Sequence, residues 1–264
     1  MEPALELDNV SVVRGGKRIL DRVTLSIGVG ENVAIIGLNG SGKTTLLKLL
    51  RGDAFPYDDE EPYSMRIFGQ DHWNIFDLRT KMGVVSMDLQ EQFSHQTTVR
   101  EVIGSGFFGS LDVYRNMEIT PEMEELIALR AREMGIDDLL DRDLEGLSLG
   151  EMRRALIARA LVTDPKMLIL DEPMTGLDIV MKSRFRRMFD ILTESGVSII
   201  MITHDLTDIP HKVSRVIMIR EGRIFRDGQK EELLDSETVS QVYGERIVVE
   251  TTDGIYRMHQ EVPM

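Results

Sequence analysis

Residues 37–45 read GLNGSGKTT, a run that sets three glycines among a lysine and three hydroxyl side chains. The spacing fits the phosphate-loop pattern G-x-x-x-x-G-K-[ST] at Gly37, Gly42, Lys43 and Thr44. Glycines let backbone N–H groups turn inward as an anion nest. A helix beginning there adds positive potential for a phosphate. Lys43 has the reach to contact β- and γ-phosphates, and Thr44 offers a hydroxyl oxygen to Mg2+. The rival reading, a plain glycine-rich turn, is disfavoured by the apolar run before it and by TTLLKLL after it.

A phosphate loop holds a nucleotide but does not hydrolyse it. Hydrolysis asks for a hard oxygen ligand on Mg2+ and a group that orients water. KMLILDEP at 166–173 supplies two carboxylates at the end of an apolar run. Asp171 is the candidate Mg2+ ligand and Glu172 the candidate for orienting or deprotonating water. Strand alternation makes neighbouring side chains diverge, so the two can serve different partners if the strand ends there. A second apolar run, SIIMITHD, closes on His204, placed to hydrogen-bond a γ-phosphate oxygen or to help place the water.

The stretch LSLGE at 147–151 has two compatible readings. Ser148 and Glu151 have the S-x-x-E spacing of a capping box. A helix start with Ser148 and Gly150 is also an anion site. Since the first loop already holds one side of a nucleotide, the second fits the nucleotide of another molecule.

These residues need elements to hold them. Short apolar runs at 32–37, 83–87, 167–171, 197–204 and 215–222 read as strands buried on both faces. Helical patterns lie around 43–51, 151–162 and 180–194. The interleaving predicts an α/β fold with crossover helices. The start of the chain, with Gly15-Gly16 between β-prone runs, predicts an antiparallel layer. Residues 98–147 read as a mostly helical insertion, with Thr120-Pro121 opening a helix that runs to Gly135. The end of the chain predicts two short strands about a turn at Asp253-Gly254, with no catalytic role.

Composition narrows the class. The chain has 264 residues, 42% hydrophobic, and no cysteine, which excludes disulfides and zinc-thiolate sites. Its formal net charge of −14 argues against broad nucleic-acid binding. The acidic run from Asp58 to Glu61 reads as a solvated loop. The N-terminus lacks a signal-peptide pattern and no apolar run approaches a spanning length, so a cytosolic location is expected.

Taken together, GLNGSGKTT, LSLGE, ILDEP, TGLD and THD resemble, in order and spacing, the nucleotide-binding domain of the ATP-binding-cassette (ABC) family, over roughly residues 4 to 244. The resemblance implies a P-loop NTPase of ABC type, with an N-terminal antiparallel β layer. A helical subdomain would be inserted between phosphate loop and signature. The expected boundaries are a cassette at 1–246, its helical subdomain at about 90–162 within a RecA-like core, and a β-prone tail at 247–264. LSLGE has Leu149 where the family commonly has Gly, and Glu151 where it commonly has Gln.

The resemblance also implies roles. Asn39, Gly40, Ser41 and Thr45 would complete the ATP cradle of Gly37, Gly42, Lys43 and Thr44. Two cassettes would close head to tail on two ATPs, with Ser148, Gly150 and Glu151 of one facing the γ-phosphate held by the other. Asp178, in TGLD, would lie in the loop that crosses that interface. Many cassettes stack an aromatic on adenine near residue 14; here Arg14 offers a guanidinium plane instead. Gln90 is favoured over the nearby Gln92 and Gln96 as the coupling glutamine, a γ-phosphate or Mg2+ sensor, although it follows its strand a few residues late. Mg2+ would be held by Thr44, Gln90 and Asp171.

With no spanning segment, transport would need separate transmembrane permease subunits and, indirectly, a substrate-binding protein. The stretches TTVREVIGSGFFGSLDVYRNMEITPE and ITHDLTDIPHKVSRVIMIREGRI resemble the ATPase subunits of iron-complex and molybdate-type importers. The expected place is the cytoplasmic face of the membrane. Phe107-Phe108 read either as an exposed pair meeting a permease or as subdomain core. The rival function is a soluble ABC ATPase acting on a ribosome or nucleic-acid complex. Against it stand a single cassette without a charged linker, and no sustained heptads between Lys43 and Leu147. A regulatory pseudo-ATPase is disfavoured by the intact set Lys43, Asp171, Glu172 and His204.

Overall fold

The first strands follow from a glycine turn between two β-prone runs. β1 (Pro3–Arg14) and β2 (Lys17–Gly28) pair antiparallel up to Arg14↔Lys17, and Gly15 and Gly16 take positive φ in the turn. Leu5, Leu7, Val10 and Val12 of β1 and Leu20, Val23, Leu25 and Ile27 of β2 are buried. β3 (Val33–Ile36) and α1 (Lys43–Leu50) follow, then β4 (Ser64–Ile67), which the apolar pattern did not reveal. β4 pairs with β1, giving the order β2-β1-β4. Its alternation is weak: Ile67 alone of its four residues is buried. The computed structural model describes residues 3–58, 61–90, 92–110 and 118–261, without the side chains of 75, 76, 79, 87 and 90. It divides into two units, 1–73 with 184–264, and 74–183.

The second unit holds α2 (Ile75–Lys81), β5 (Met82–Val85), α3 (Met87–Gln90), α4 (Val99–Ser105), α5 (Pro121–Glu133), α6 (Leu149–Leu161) and β6 (Met167–Asp171). β5 and β6 pair in parallel from Met82↔Met167 to Val85↔Leu170. The strand expected at 83–87 stops at Val85. Ser86 is buried, its hydroxyl accepts the Leu89 N–H, and the chain turns into α3. α4 starts on a Thr98–Glu101 capping box, and α5 on Thr120 with Pro121 in its first turn. Val102 and Ile103 of α4, Ile127 and Ala131 of α5, and Leu156, Ile157 and Ala160 of α6 are buried. Phe107 and Phe108 lie in a single 3-10 turn and are half-buried, so neither of the two expected extremes describes them.

One buried group in this unit is unlike the rest. Arg153 of α6 is fully buried, and none of its three guanidinium nitrogens has a hydrogen-bond partner among the described residues. Burial pushes its pKa down. An unpaired charge taken out of water is costly to a fold.

The chain then runs through α7 (Ile179–Glu194) and back to the first unit. There β7 (Ser198–Ile202), β8 (Arg215–Arg220) and β9 (Arg223–Gln229) join β3 in the order β7-β3-β8-β9. β3 is parallel to both neighbours, Val33 pairing with Ile200 and with Arg215. All four of its residues are buried, as a central parallel strand requires. α8 (Lys230–Leu233) and α9 (Ser236–Tyr243) follow. The chain closes with the hairpin β10 (Ile247–Thr252) and β11 (Ile255–Gln260), turning at Asp253 and Gly254.

Candidate functional site

The phosphate loop leaves the end of β3 and enters α1. Gly37 has no room for a side chain: a Cβ there would stand 2.2 Å from the Ile219 carbonyl oxygen. Gly42 sits at φ 112°, ψ −4° as the N-cap of α1 and makes no side-chain cap. The first N–H groups of α1 therefore point outward without the hydroxyl or carboxylate that closes most helix starts. Lys43 is 6% exposed, and its ammonium donates to the carbonyls of Gly37 (2.7 Å) and Leu38 (2.9 Å). The Ser41 hydroxyl is buried without a hydrogen-bond partner among the described residues. Asn39 and Gly40 are exposed at the loop tip, Thr44 is exposed in the first turn of α1, and Thr45 is half-buried. An open helix start, a buried cation and an unsatisfied hydroxyl are what a phosphate group would complete.

The loop is held by a turn that the motifs did not point to. Gly222, between β8 and β9, donates its N–H to the Ser41 carbonyl at 2.9 Å. Glu221 and Gly222 both take positive φ there. The signal was present as Glu-Gly after an apolar strand, a turn pattern.

Two other expected residues lie in this unit. Arg14 ends β1 and is exposed. His204 is also exposed, two residues past the end of β7 at Ile202, so it belongs to a loop rather than to the strand. The neighbouring Thr203 is fully buried, and its hydroxyl accepts the Asp205 N–H at 3.1 Å.

In the second unit, Asp171 is the last residue of β6 and is half-buried. Glu172 follows at φ 51°, and the Thr175 hydroxyl donates to its carboxylate at 3.0 Å. A non-glycine residue held at positive φ costs about 1–3 kcal/mol and persists where surroundings enforce it. Glu172 therefore leaves the strand in a left-handed conformation, so the strand alternation expected to separate it from Asp171 does not extend to it. Thr175 was not singled out from the sequence, although its three-residue spacing from Glu172 makes a local turn contact.

Ser148 and Glu151 form the reciprocal capping box of α6. The Ser148 N–H donates to the Glu151 carboxylate at 2.7 Å and its hydroxyl at 2.6 Å, while the Glu151 N–H donates to the Ser148 hydroxyl at 3.3 Å. The Ser148 hydroxyl, then its N–H, hold the Glu151 carboxyl below the usual carboxylate range. Gly150 is buried, and a Cβ there would stand 2.6 Å from the Met181 methyl, the movable end of a flexible chain. Asp178 is exposed and accepts the N–H groups of Val180 and Met181, both at 2.9 Å, so it opens α7. Gln90 ends the short α3; its side chain lies outside the described residues.

Thr44 and Asp171 are hard oxygen donors of the kind Mg2+ takes. Among the described residues there is no group of three or more acidic or histidine side chains placed to hold a metal by itself. No helix among them is long and apolar enough to cross a membrane.

A family model for "ABC transporter" matches residues 20–175. The ABC transporter ATP-binding protein YlmA of Bacillus subtilis is 35% identical over 241 residues, covering 89% of this chain and 89% of that protein. The hemin import ATP-binding protein HmuV of Rhodopseudomonas palustris is 30% identical over 264 residues, covering 97% of this chain and 94% of that one. Among solved structures, cbiO1 from Clostridium perfringens, part of the ABC transporter complex cbiONQ, aligns with a TM-score of 0.76 at 27% identity. That alignment covers 91% of this chain and 94% of the other.

Proposed function

This chain is an ATP-binding ATPase of the ABC transporter family, and from that premise we propose that it drives an importer whose permease subunits are separate chains. The observation that carries the nucleotide reading is the uncapped start of α1, with buried Lys43 and the unpartnered Ser41 hydroxyl beside it. Import is favoured by the hemin import relative and by the resemblance of 97–122 and 202–224 to importer ATPases.

The roles follow residue by residue. Gly37, Asn39, Gly40, Ser41 and Gly42 turn backbone N–H groups onto the ATP phosphates, and Thr45 supports the loop from α1. Lys43 leaves its loop carbonyls to meet the β- and γ-phosphates. Arg14 stacks its guanidinium on adenine. Glu172 orients or deprotonates the attacking water, held in its turn by Thr175. His204 hydrogen-bonds the γ-phosphate. Thr44, Gln90 and Asp171 are the residues that would hold Mg2+, whose charge would offset that of the phosphates.

A second copy of the chain supplies Ser148, Gly150 and the main-chain N–H of Glu151 to the γ-phosphate in a head-to-tail pair, the Glu151 carboxylate leaving the cap as the phosphate enters, and Asp178 lies at that interface. The pair closes on two ATPs and reopens on hydrolysis, which is the motion a permease uses. The complex sits on the cytoplasmic face of the membrane, and a substrate-binding protein delivers the cargo. Affinity capture from gently solubilised membranes, with the Glu172→Gln variant in Mg-ATP as bait, tests this. Recovery of a polytopic membrane protein supports the importer. Recovery of soluble partners alone, with the bait dimeric and extraction adequate, would transfer the reading to a soluble ABC ATPase.

A further inference from the structure

His204 is exposed, but the chain around it is anchored. After β7, Thr203 is fully buried and bonds to the Asp205 N–H at 3.1 Å. The Asp205 carboxylate accepts the Thr207 N–H at 2.9 Å and its hydroxyl at 2.8 Å. Arg186 donates to the Thr207 carbonyl at 2.7 Å. These bonds fix the residues on either side of His204. One bond reaches His204 itself from a distant part of the chain: the Tyr243 hydroxyl donates to its main-chain carbonyl at 3.3 Å.

Tyr243 is the last residue of α9, and α9 is itself held firmly. Asp235 caps its start, accepting the Thr238 N–H, and Gly244 ends it at φ 71°. Arg220 donates to the Gln241 carbonyl at 2.7 Å. Val239 and Val242 are fully buried. The closing hairpin is tied to α9 where Ile247 donates to the Ser240 hydroxyl at 2.9 Å. Tyr256 of β11 shares one apolar cluster with Val239, Val242, Leu206 and Ile209, the last two lying in the loop just past His204.

We propose that Tyr243 is a positioning residue for His204, and that 236–260 forms a strut that sets where the His204 side chain begins. The proposal rests on the reading of His204 as a γ-phosphate ligand. A ligand on a loop must be held within about 0.5 Å to act well, and an exposed loop does not do this alone. A phenol is well suited to such a strut, because its single O–H can fix a carbonyl while its ring stays in the apolar layer.

The test uses the full chain in single turnovers with labelled ATP, so that slow residual rates are measurable. The variants are Tyr243→Phe, which removes one oxygen and keeps the ring, His204→Ala, and the two combined. Tyr243→Phe is expected to lower the hydrolysis rate about three- to tenfold, the range one hydrogen bond supports. ATP affinity should stay at the wild-type value, and the thermal midpoint should fall by no more than about 4 °C, the range one lost hydrogen bond supports. In the His204→Ala background the same change should alter the rate by less than about twofold, since the two groups act as one unit. A wild-type rate for Tyr243→Phe beside a crippled His204→Ala would overturn the strut and leave His204 standing. Multiplying effects in the double variant, or a rate loss matched by loss of midpoint and ATP affinity, would also overturn it. A wild-type rate for His204→Ala would remove the role of His204 and the strut with it.

Discussion

The starts of α1 and α6 are both glycine- and hydroxyl-bearing helix N-termini, yet they are built in opposite ways. α1 begins on Gly42 with no side-chain cap, and beside it lie a buried lysine and an unsatisfied hydroxyl. α6 begins on Ser148 with its capping box closed on both sides by Glu151. The first keeps its donors for a ligand. The second already engages Ser148 in its own helix, so a phosphate there must compete with the Glu151 carboxylate. On the proposed function, the first start would take a phosphate in a single chain, and the second would do so only once the carboxylate is displaced. That difference fits a primary phosphate cradle in one case and a conditional contact in the other.

Substitutions can pull the two helix starts apart. Glu172→Gln should separate holding ATP from turning it over. Loss of a positioned base is expected to cut kcat by about 10² to 10⁴ while leaving both helix starts intact. The check is a steady-state phosphate assay beside equilibrium ATP binding; a proportional loss of binding would contradict it. Ser148→Ala should open the start of α6 and leave that of α1 intact. Loss of the cap is expected to cost about 0.5–2 kcal/mol, read as a fall in the denaturant midpoint.

Arg153→Met, on the same helix, should move stability the other way. Removing an unpartnered buried cation is expected to stabilise by about 1–3 kcal/mol, or roughly 2–4 °C per kcal/mol in the thermal midpoint. No gain would mean that the guanidinium has a partner in solution.

The smallest effect concerns pH. The folded-state pKa of Glu151 is depressed, so its cap contributes above the usual carboxylate pKa and is lost as pH falls through the folded value. The midpoint difference between wild type and Glu151→Gln should hold near neutral pH and shrink below about pH 4. A difference that grows in acid would contradict the sign.

How much of this was legible in the sequence depends on which force shaped each part. The strands of the parallel sheet and the long helices were readable because continuous apolar runs and helical spacing report burial directly. Ser148 and Glu151 were readable because capping is local. The hairpin turn at Asp253-Gly254 was readable for the same reason. β4 was not, since Ser64, Met65 and Arg66 stay outside the core and pairing with β1 leaves no apolar signature. The left-handed backbone at Glu172 was hidden because its residue type does not prefer it. Asp178 was read for a partner contact alone, although an aspartate two and three residues before open N–H groups also caps a helix. The bond from Tyr243 to His204 spans 39 positions, and no local pattern announces it.

The contrast between the two helix starts meets its plainest test in calorimetric ATP binding to the wild-type chain, Lys43→Ala and Ser148→Ala, each at a concentration where it is monomeric. The open start of α1 predicts that Lys43→Ala weakens ATP binding about 10²- to 10³-fold, as loss of a buried phosphate clamp should. The closed cap of α6 predicts that Ser148→Ala leaves it unchanged. ATP binding that survives Lys43→Ala, or that falls equally with Ser148→Ala, would contradict the assignment of α1 as the primary phosphate site.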